Sequence, residues 1–277
     1  MRSFSRSRRG LLVVATVIAG FSVSWASLGG GAFASSTTTS TVAPSTSTTT
    51  VTVPSTSTTT VTVAPKSPTT TTTAKPRPAP TLRLGETGAS VLALQRRLTS
   101  LGYWLGQPNG IFADSTQQAV YALQKAASIQ RDGAVGPVTA AALKRGVRPK
   151  PWKTSGYVVE VNLNDDLLMI VRNGSLVWTF NTSTGGGYTY VDEGVTAIAE
   201  TPRGIFHVYR AVDGIVTDSL GQLWRPRYFD GGFAIHGDSY VPASPVSHGC
   251  VRVSNEAIDW IWANNLLPLG TKVWVYS

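Results

Sequence analysis

Residues 35 to 80 constrain this chain more than any other stretch, because they are almost wholly Thr, Ser, Val, Pro and Ala. The segment Ser45-Thr46-Ser47-Thr48-Thr49-Thr50-Val51-Thr52-Val53 returns as Ser55 to Val63, ten residues later, with Pro54 between. A period so short and polar builds no solenoid core. Such a composition also buries too little apolar surface to offset chain entropy. Residues 35–80 are therefore expected to be a disordered, extended linker or stalk, suited to O-glycosylation. The stiff basic boundary Lys75-Pro76-Arg77-Pro78-Ala79-Pro80 ends it.

Residues 1–34 read as a secretory signal peptide. Arg2, Arg6, Arg8 and Arg9 form a basic start, Leu11 to Ala19 an apolar run, and Ala32-Phe33-Ala34 a small-x-small site for cleavage before Ser35. A retained membrane anchor is the alternative, but the run is short for a bilayer span and leads into Gly and Ser. No cysteine stands near its end, which excludes a lipoprotein anchor. The chain is thus expected to be secreted, with no stable membrane insertion after cleavage. Its 24 Lys and Arg against 15 Asp and Glu give +9; without the four signal-peptide arginines 20 remain against 15, or +5. That excess suits an anionic surface such as a cell wall, and equally a generic exported protein. Beyond the signal peptide no Lys/Arg cluster alternates with aromatics, so nucleic acid is not an expected partner. Nothing in the sequence indicates an oligomeric state.

Order is expected from Leu82. Ser90 is placed to cap a helix in which Val91, Leu94, Leu98 and Leu101 recur at three- and four-residue steps, with Gly102 as the stop. Asn109-Gly110 turns the chain, and Asp114 or Ser115 caps a second helix with Ala119, Val120 and Leu123 on its apolar face. Pro137 opens a short third helix ending near Leu143. Three short helices make a small all-α bundle over 82–145.

The wording of this region resembles the peptidoglycan-binding module PG_binding_1. Leu82-Arg83-Leu84-Gly85-x-x-Gly88-x-x-Val91-x-x-Leu94-Gln95-x-x-Leu98-x-x-Leu101-Gly102-Tyr103 matches its start. Asn109-Gly110-Ile111-Phe112, Thr116-x-x-Ala119-Val120 and Asp132-Gly133-x-Val135-Gly136-Pro137-x-Thr139 continue the match. The resemblance implies peptidoglycan as a partner and, with it, cell-wall association. Ala113 stands where the family usually has Gly, and Leu123-Gln124 where it usually has Phe-Gln, which bears on the binding face. The region has no histidine, so the metal site of some relatives is absent.

After a Pro-rich hinge at 146–155 the pattern changes to strands. Tyr157 to Val161, Leu167 to Val171 and Leu176 to Phe180, with the Asn173-Gly174 turn between the last two, open a mainly-β domain over 156–277. Ile205 to Tyr209, Phe233 to Ile235 and Val273 to Tyr276 are further strands. One helix is expected from about Asn255 to Asn264, capped by Ser254, with Glu256 in its first turn. About 120 such residues with Gly/Pro-rich turns suit a sandwich or barrel-like fold.

Cys250, in Ser247-His248-Gly249-Cys250-Val251-Arg252, is the only cysteine of the 277 residues and cannot close an internal disulfide. Histidines nearby make a nucleophilic thiolate the first reading, with an imidazole to take its proton and backbone N–H groups to hold an oxyanion. His236 follows Phe233-Ala234-Ile235, so it should emerge at a strand end and reach across the sheet; His248 lies two residues before the cysteine. Spacing alone leaves the base open between them. A zinc site is the weaker reading, with one thiol and no carboxylate at ligand spacing. An inert buried thiol fits the polar Ser-His-Gly flank poorly. His207 alternates with apolar neighbours and reads as a face or substrate-side residue rather than a catalyst.

Phe233-Ala234-Ile235-His236-Gly237 with Ser247-His248-Gly249-Cys250-Val251-Arg252 resembles the signature of the L,D-transpeptidase catalytic domain, the YkuD-like fold. Thr182-Ser183-Thr184-Gly185 and Thr201-Pro202-Arg203-Gly204-Ile205-Phe206 extend the likeness. The resemblance implies Cys250 as nucleophile, His236 as general base and acid, and the Gly237 carbonyl as the group orienting the imidazole. It implies oxyanion N–H groups from His248, Gly249 and Cys250, with Ser247 shaping the site. Arg252, where several relatives have Asn, becomes a substrate contact. Only ten residues separate His236 from Ser247, fewer than usual in the family, so a short loop over the site is expected. The implied reaction attacks the carbonyl joining the third residue of a peptidoglycan stem to its terminal D-Ala, then passes the acyl group to another stem as a 3→3 cross-link. No metal or organic cofactor is expected. An L,D-carboxypeptidase using water, or an inactive wall-binding protein, are the alternatives.

Overall fold

The computed structural model describes residues 81–277; the stretches read as a signal peptide and as a Thr/Ser linker lie outside the described residues. Three helices come first: α1 (Ala89–Ser100), α2 (Asp114–Ala126) and α3 (Pro137–Arg145). They pack through Val91, Leu94, Leu98, Phe112, Val120 and Leu123, the three-and-four spacing read from the sequence. Their entrances differ from expectation. α1 starts from Gly88 and α2 from Ala113, and neither start carries a side-chain cap bond. Ser90 and Ser115 fall inside the first turns, where backbone contacts such as Gly88 N–H to the Gly110 carbonyl (2.8 Å) fix the chain instead. Pro137 opens α3 as expected, and Gly146 ends it in the left-handed region (φ 71°).

The rest is mainly β, in two facing sheets. Strands β1 (Tyr157–Asn162), β2 (Leu167–Arg172) and β3 (Ser175–Asn181) lead into a hairpin of β4 (Thr189–Asp192) and β5 (Val195–Ile198). Then come β6 (Gly204–His207), β7 (Arg210–Ala211), β8 (Ile215–Asp218), β9 (Gly221–Asp230), β10 (Phe233–Asp238) and β11 (Val251–Ser254). Helix α4 (Asn255–Ala263) and β12 (Lys272–Tyr276) finish the chain. One sheet runs β3-β2-β1-β12-β6; the other runs β11-β10-β9-β7, with β8 also on β9. Two of the pairings are parallel, β1 with β12 and β10 with β11. The inward residues of both sheets, Val159, Leu168, Ile170 and Val273 against Phe229, Ile235, Val251 and Val253, close on one core with Ile258 and Ile261 of α4. Ser254 caps α4 as read, accepting from Ala257 N–H at 3.2 Å.

The helical module is built into this sandwich. Trp104 N–H donates to the Thr179 carbonyl (3.0 Å) and Thr179 N–H to the Gly102 carbonyl (2.7 Å), so the segment after α1 covers the open edge of β3. Trp104 then enters the sandwich core, stacked on Phe180 at 5.7 Å and beside Trp260 at 5.9 Å. In return Leu167 of β2 belongs to the bundle core. The segment read as a hinge is pinned as well: the amides of Trp152 and Lys153 donate to the buried Glu160 carboxylate at 3.0 and 2.8 Å.

Candidate active site

Side chains alternate across a strand, so Ala234, His236 and Asp238 of β10 share one face. β11 lies parallel beside β10 with Arg252 opposite His236. Cys250, two residues before Arg252 and one before the strand, falls on that same face. His236 is therefore inside a strand rather than at its end, and Cys250 hangs from the adjacent strand rather than across the sheet. With Ser247, His248 and Phe233 they line a cleft of about 350 Å³.

The remaining cleft walls come from two hairpins that the sequence reading did not identify. β4 supplies Tyr190 and Asp192, and the β8–β9 turn supplies Asp218, Ser219 and Leu220. The short 237–246 connection, expected over the site, does not line the cleft. It is held instead by the helical module: Gln118 Nε2 donates to the Val241 carbonyl (3.1 Å) and Arg131 Nη1 to the Ala243 carbonyl (3.3 Å).

The segment carrying Cys250 is tied down atom by atom. Ser247 Oγ donates to the Cys250 carbonyl (2.6 Å) and accepts the Gly249 N–H (3.0 Å). Thr201 Oγ1 donates to the Gly249 carbonyl (2.7 Å) and accepts the Gly185 N–H (3.0 Å). The Gly249 amide, expected to be an oxyanion donor, is thus already taken up by Ser247 Oγ. Gly249 has φ 138°, and a Cβ on it would meet the Phe233 ring and lie 2.7 Å from the Glu200 carbonyl, so no side chain fits there.

The His236 imidazole is buried, and its Nδ1 sits 2.8 Å from the Gly237 carbonyl. A carbonyl only accepts, so Nδ1 carries the proton and a neutral ring keeps Nε2 bare. Burial pushes this imidazole below its usual range, opposed by the Gly237 carbonyl and Asp238. Burial also pushes the Cys250 thiol up to about 11, with the Ala234 amide pulling the other way. Sγ is 3.8 Å from the Gly232 carbonyl, and no hydrogen bond joins it to His236 among the described residues. Both shifts favour a neutral thiol and a neutral imidazole at rest. Alkylation of Cys250 by iodoacetamide is accordingly expected to speed up about tenfold per pH unit from 7 to 10, as the thiolate fraction grows. A rate already level near pH 7 would mean a preformed thiolate–imidazolium pair and would overturn this assignment.

His248 lies edge-on to Tyr190 at 4.7 Å and to Tyr188 at 5.6 Å. Arg252 Nε pairs with Asp238 at 3.2 Å, both largely buried. His207 is exposed on β6 opposite Lys272 and is not brought to the cleft. Among the described residues no three His, Cys, Asp or Glu side chains are grouped to hold a metal ion, and no helix is long and apolar enough to cross a membrane.

A crystal structure of residues 123–326 of the L,D-transpeptidase from Xylanimonas cellulosilytica is 48% identical to this chain, covering 73% of it and 100% of that structure, with a TM-score of 0.70. The chain belongs to the L,D-transpeptidase family. A model of the L,D-transpeptidase catalytic domain, YkuD, matches residues 156–275, and one of a peptidoglycan binding domain matches residues 87–143. The chain is also 33% identical over 119 residues to the N-acetylmuramoyl-L-alanine amidase CwlL of Bacillus licheniformis, covering 41% of this chain and 33% of the amidase. It thus spans about a third of the length of that curated relative.

In fold class, the small helical domain followed by a mainly-β domain is as read from the sequence. Trp104, Lys125, Asp166, Thr201 and Asp218 went unassigned in sequence. Only the Glu193-Gly194 pair, a turn signal between Val191 and Val195, pointed to one of the missed walls.

Proposed function

We propose that this chain is an exported enzyme that joins peptidoglycan stem peptides by cysteine-dependent acyl transfer. The observation that carries the reading is the placement of Cys250 and His236 on one face of β10–β11, lining one cleft, with Nδ1 of the imidazole fixed and Nε2 bare. His236 Nε2 takes the thiol proton as Sγ attacks the carbonyl between the third stem residue and D-Ala. The amides of His248 and Cys250 hold the oxyanion. The tetrahedral species collapses as His236 returns the proton to the departing D-Ala amine, leaving a thioester. A side-chain amine of a second stem then attacks, His236 receives its proton, and the thiolate leaves and is reprotonated. The carboxylates of Asp192 and Asp218 on the cleft walls favour the approach of a cationic acceptor. Arg252, paired with Asp238, is placed to meet a substrate carboxylate. The helical domain would hold the enzyme on its polymeric substrate and raise its effective concentration there.

Incubating the purified chain with defined tetrapeptide stems and separating the products tests this directly. Dimers linked 3→3 are expected. Tripeptides alone would reassign the chain as a carboxypeptidase, and unchanged stems would leave it a wall-binding protein. His236→Ala should slow product formation about 10²-fold or more; a wild-type rate would move the base to another group.

A further inference from the structure

Lys125 of α2 belongs to the helical module, yet the hydrogen bonds of its side chain all go to the catalytic domain. Its side chain is fully buried, and Nζ donates to the Thr182 carbonyl (2.7 Å), the Asp166 carbonyl (2.9 Å) and Asp166 Oδ2 (3.2 Å). The other oxygen of that carboxylate, Oδ1, accepts from both Thr184 N–H (3.1 Å) and Thr184 Oγ1 (2.8 Å). One ammonium therefore anchors the strip 182–184 at both ends.

That strip lies directly behind the segment carrying Cys250. Thr182 Oγ1 donates to the Arg252 carbonyl (2.7 Å), and Ser183 exchanges two backbone bonds with Arg252 (3.1 and 3.0 Å). Ser247 N–H donates to the Thr184 carbonyl (2.9 Å), and Gly186 N–H to the Ser247 carbonyl (3.1 Å). Cys250 is thus suspended between two attachment points, Ser247 and Arg252, both fastened to a strip that Lys125 holds. A buried ion pair adds little net stability, because desolvation offsets most of its attraction. What three fixed donors do impose is position.

We infer that Lys125 is a positioning residue for the nucleophile, acting through Asp166 and the strip 182–184, so that the helical module forms part of the catalytic apparatus besides binding the wall. This rests on the acyl-transfer reading of the cleft. Displacement of a nucleophile by a fraction of an ångström lowers the rate of bond formation more than it weakens substrate binding.

The test is the rate of acylation of the full chain by a carbapenem, followed by intact mass over a range of inhibitor concentrations. Lys125→Met removes the anchor, and Lys125→Met combined with Asp166→Asn removes it without stranding a buried carboxylate. Each variant is assayed well below its own melting temperature. The saturating rate constant is expected to fall at least about tenfold with the half-saturating concentration nearly unchanged. A folded variant that acylates as fast as wild type overturns the inference. So does failure of both variants to fold, which would assign Lys125 to stability alone. A wild-type chain that takes no adduct would instead count against the proposed reaction itself.

Discussion

Cys250→Ala is expected to take no mass adduct from a carbapenem and to form no cross-linked stem dimer, a loss of at least about 10³-fold in turnover. The argument has two parts. Cys250 is the only cysteine in the chain, so no second thiol can substitute for it. Three backbone groups around it are committed: Ser247 Oγ binds the Cys250 carbonyl and the Gly249 amide, and Thr201 Oγ1 binds the Gly249 carbonyl. Alanine leaves every one of these bonds in place, so the variant should fold with a wild-type melting temperature. Loss of activity would then report the thiol and not the scaffold. An adduct on Cys250→Ala would show that another group is acylated and would end the nucleophile assignment.

Trp104→Ala is expected to lower the melting temperature of the catalytic and helical domains together. Trp104 is 6% exposed and packs on Phe180 and Trp260 in the sandwich core. Truncating a buried Trp typically costs about 3–5 kcal/mol. Its indole N–H meets no acceptor among the described residues, and relief of that buried donor, worth about 1–3 kcal/mol, offsets part of the loss. A net cost of about 2–3 kcal/mol is then expected, or a shift of roughly 5–10 °C for a folded unit of this size. Far-UV circular dichroism on heating measures it. A single transition at lower temperature is the predicted result. Two separate transitions, with the catalytic domain unmoved, would show the helical module to be an independent bead on the chain.

Much of the fold could be read from residues 82–277 because local signals and tertiary structure agree there. The apolar spacing of α1, the Asn173-Gly174 hairpin and the Ser254 cap all stand in the structure. The failures share a cause. α2 looked amphipathic, with Ala119, Val120 and Leu123 marking one inward face; yet it also buries Gln118, Gln124 and Lys125. A helix buried on a second, polar side looks solvent-exposed on that side in sequence, because hydropathy cannot tell a hydrogen-bonded interior from water. The β4–β5 and β8–β9 hairpins escaped for a related reason. Their strands carry exposed Val191, Val195, Ile198 and Ile215, so no in-out alternation marks them.

The sequence by itself determined that Cys250 was the candidate nucleophile, since there is no other thiol, and that a helical module precedes a β domain; wall binding was implied only by resemblance. It left two histidines as possible bases and three amides as possible oxyanion donors. Tertiary structure bears on both sets. Register puts His236 opposite Arg252, on one face with Cys250 two residues earlier, the Gly237 carbonyl holds the proton on Nδ1, and Ser247 Oγ takes up the Gly249 amide. Structure alone revealed that Lys125 of the helical module is bonded to Asp166 and Thr182, behind the segment carrying Cys250. Such decisions depend on which donor meets which acceptor across the fold, and spacing along the chain carries no record of those encounters.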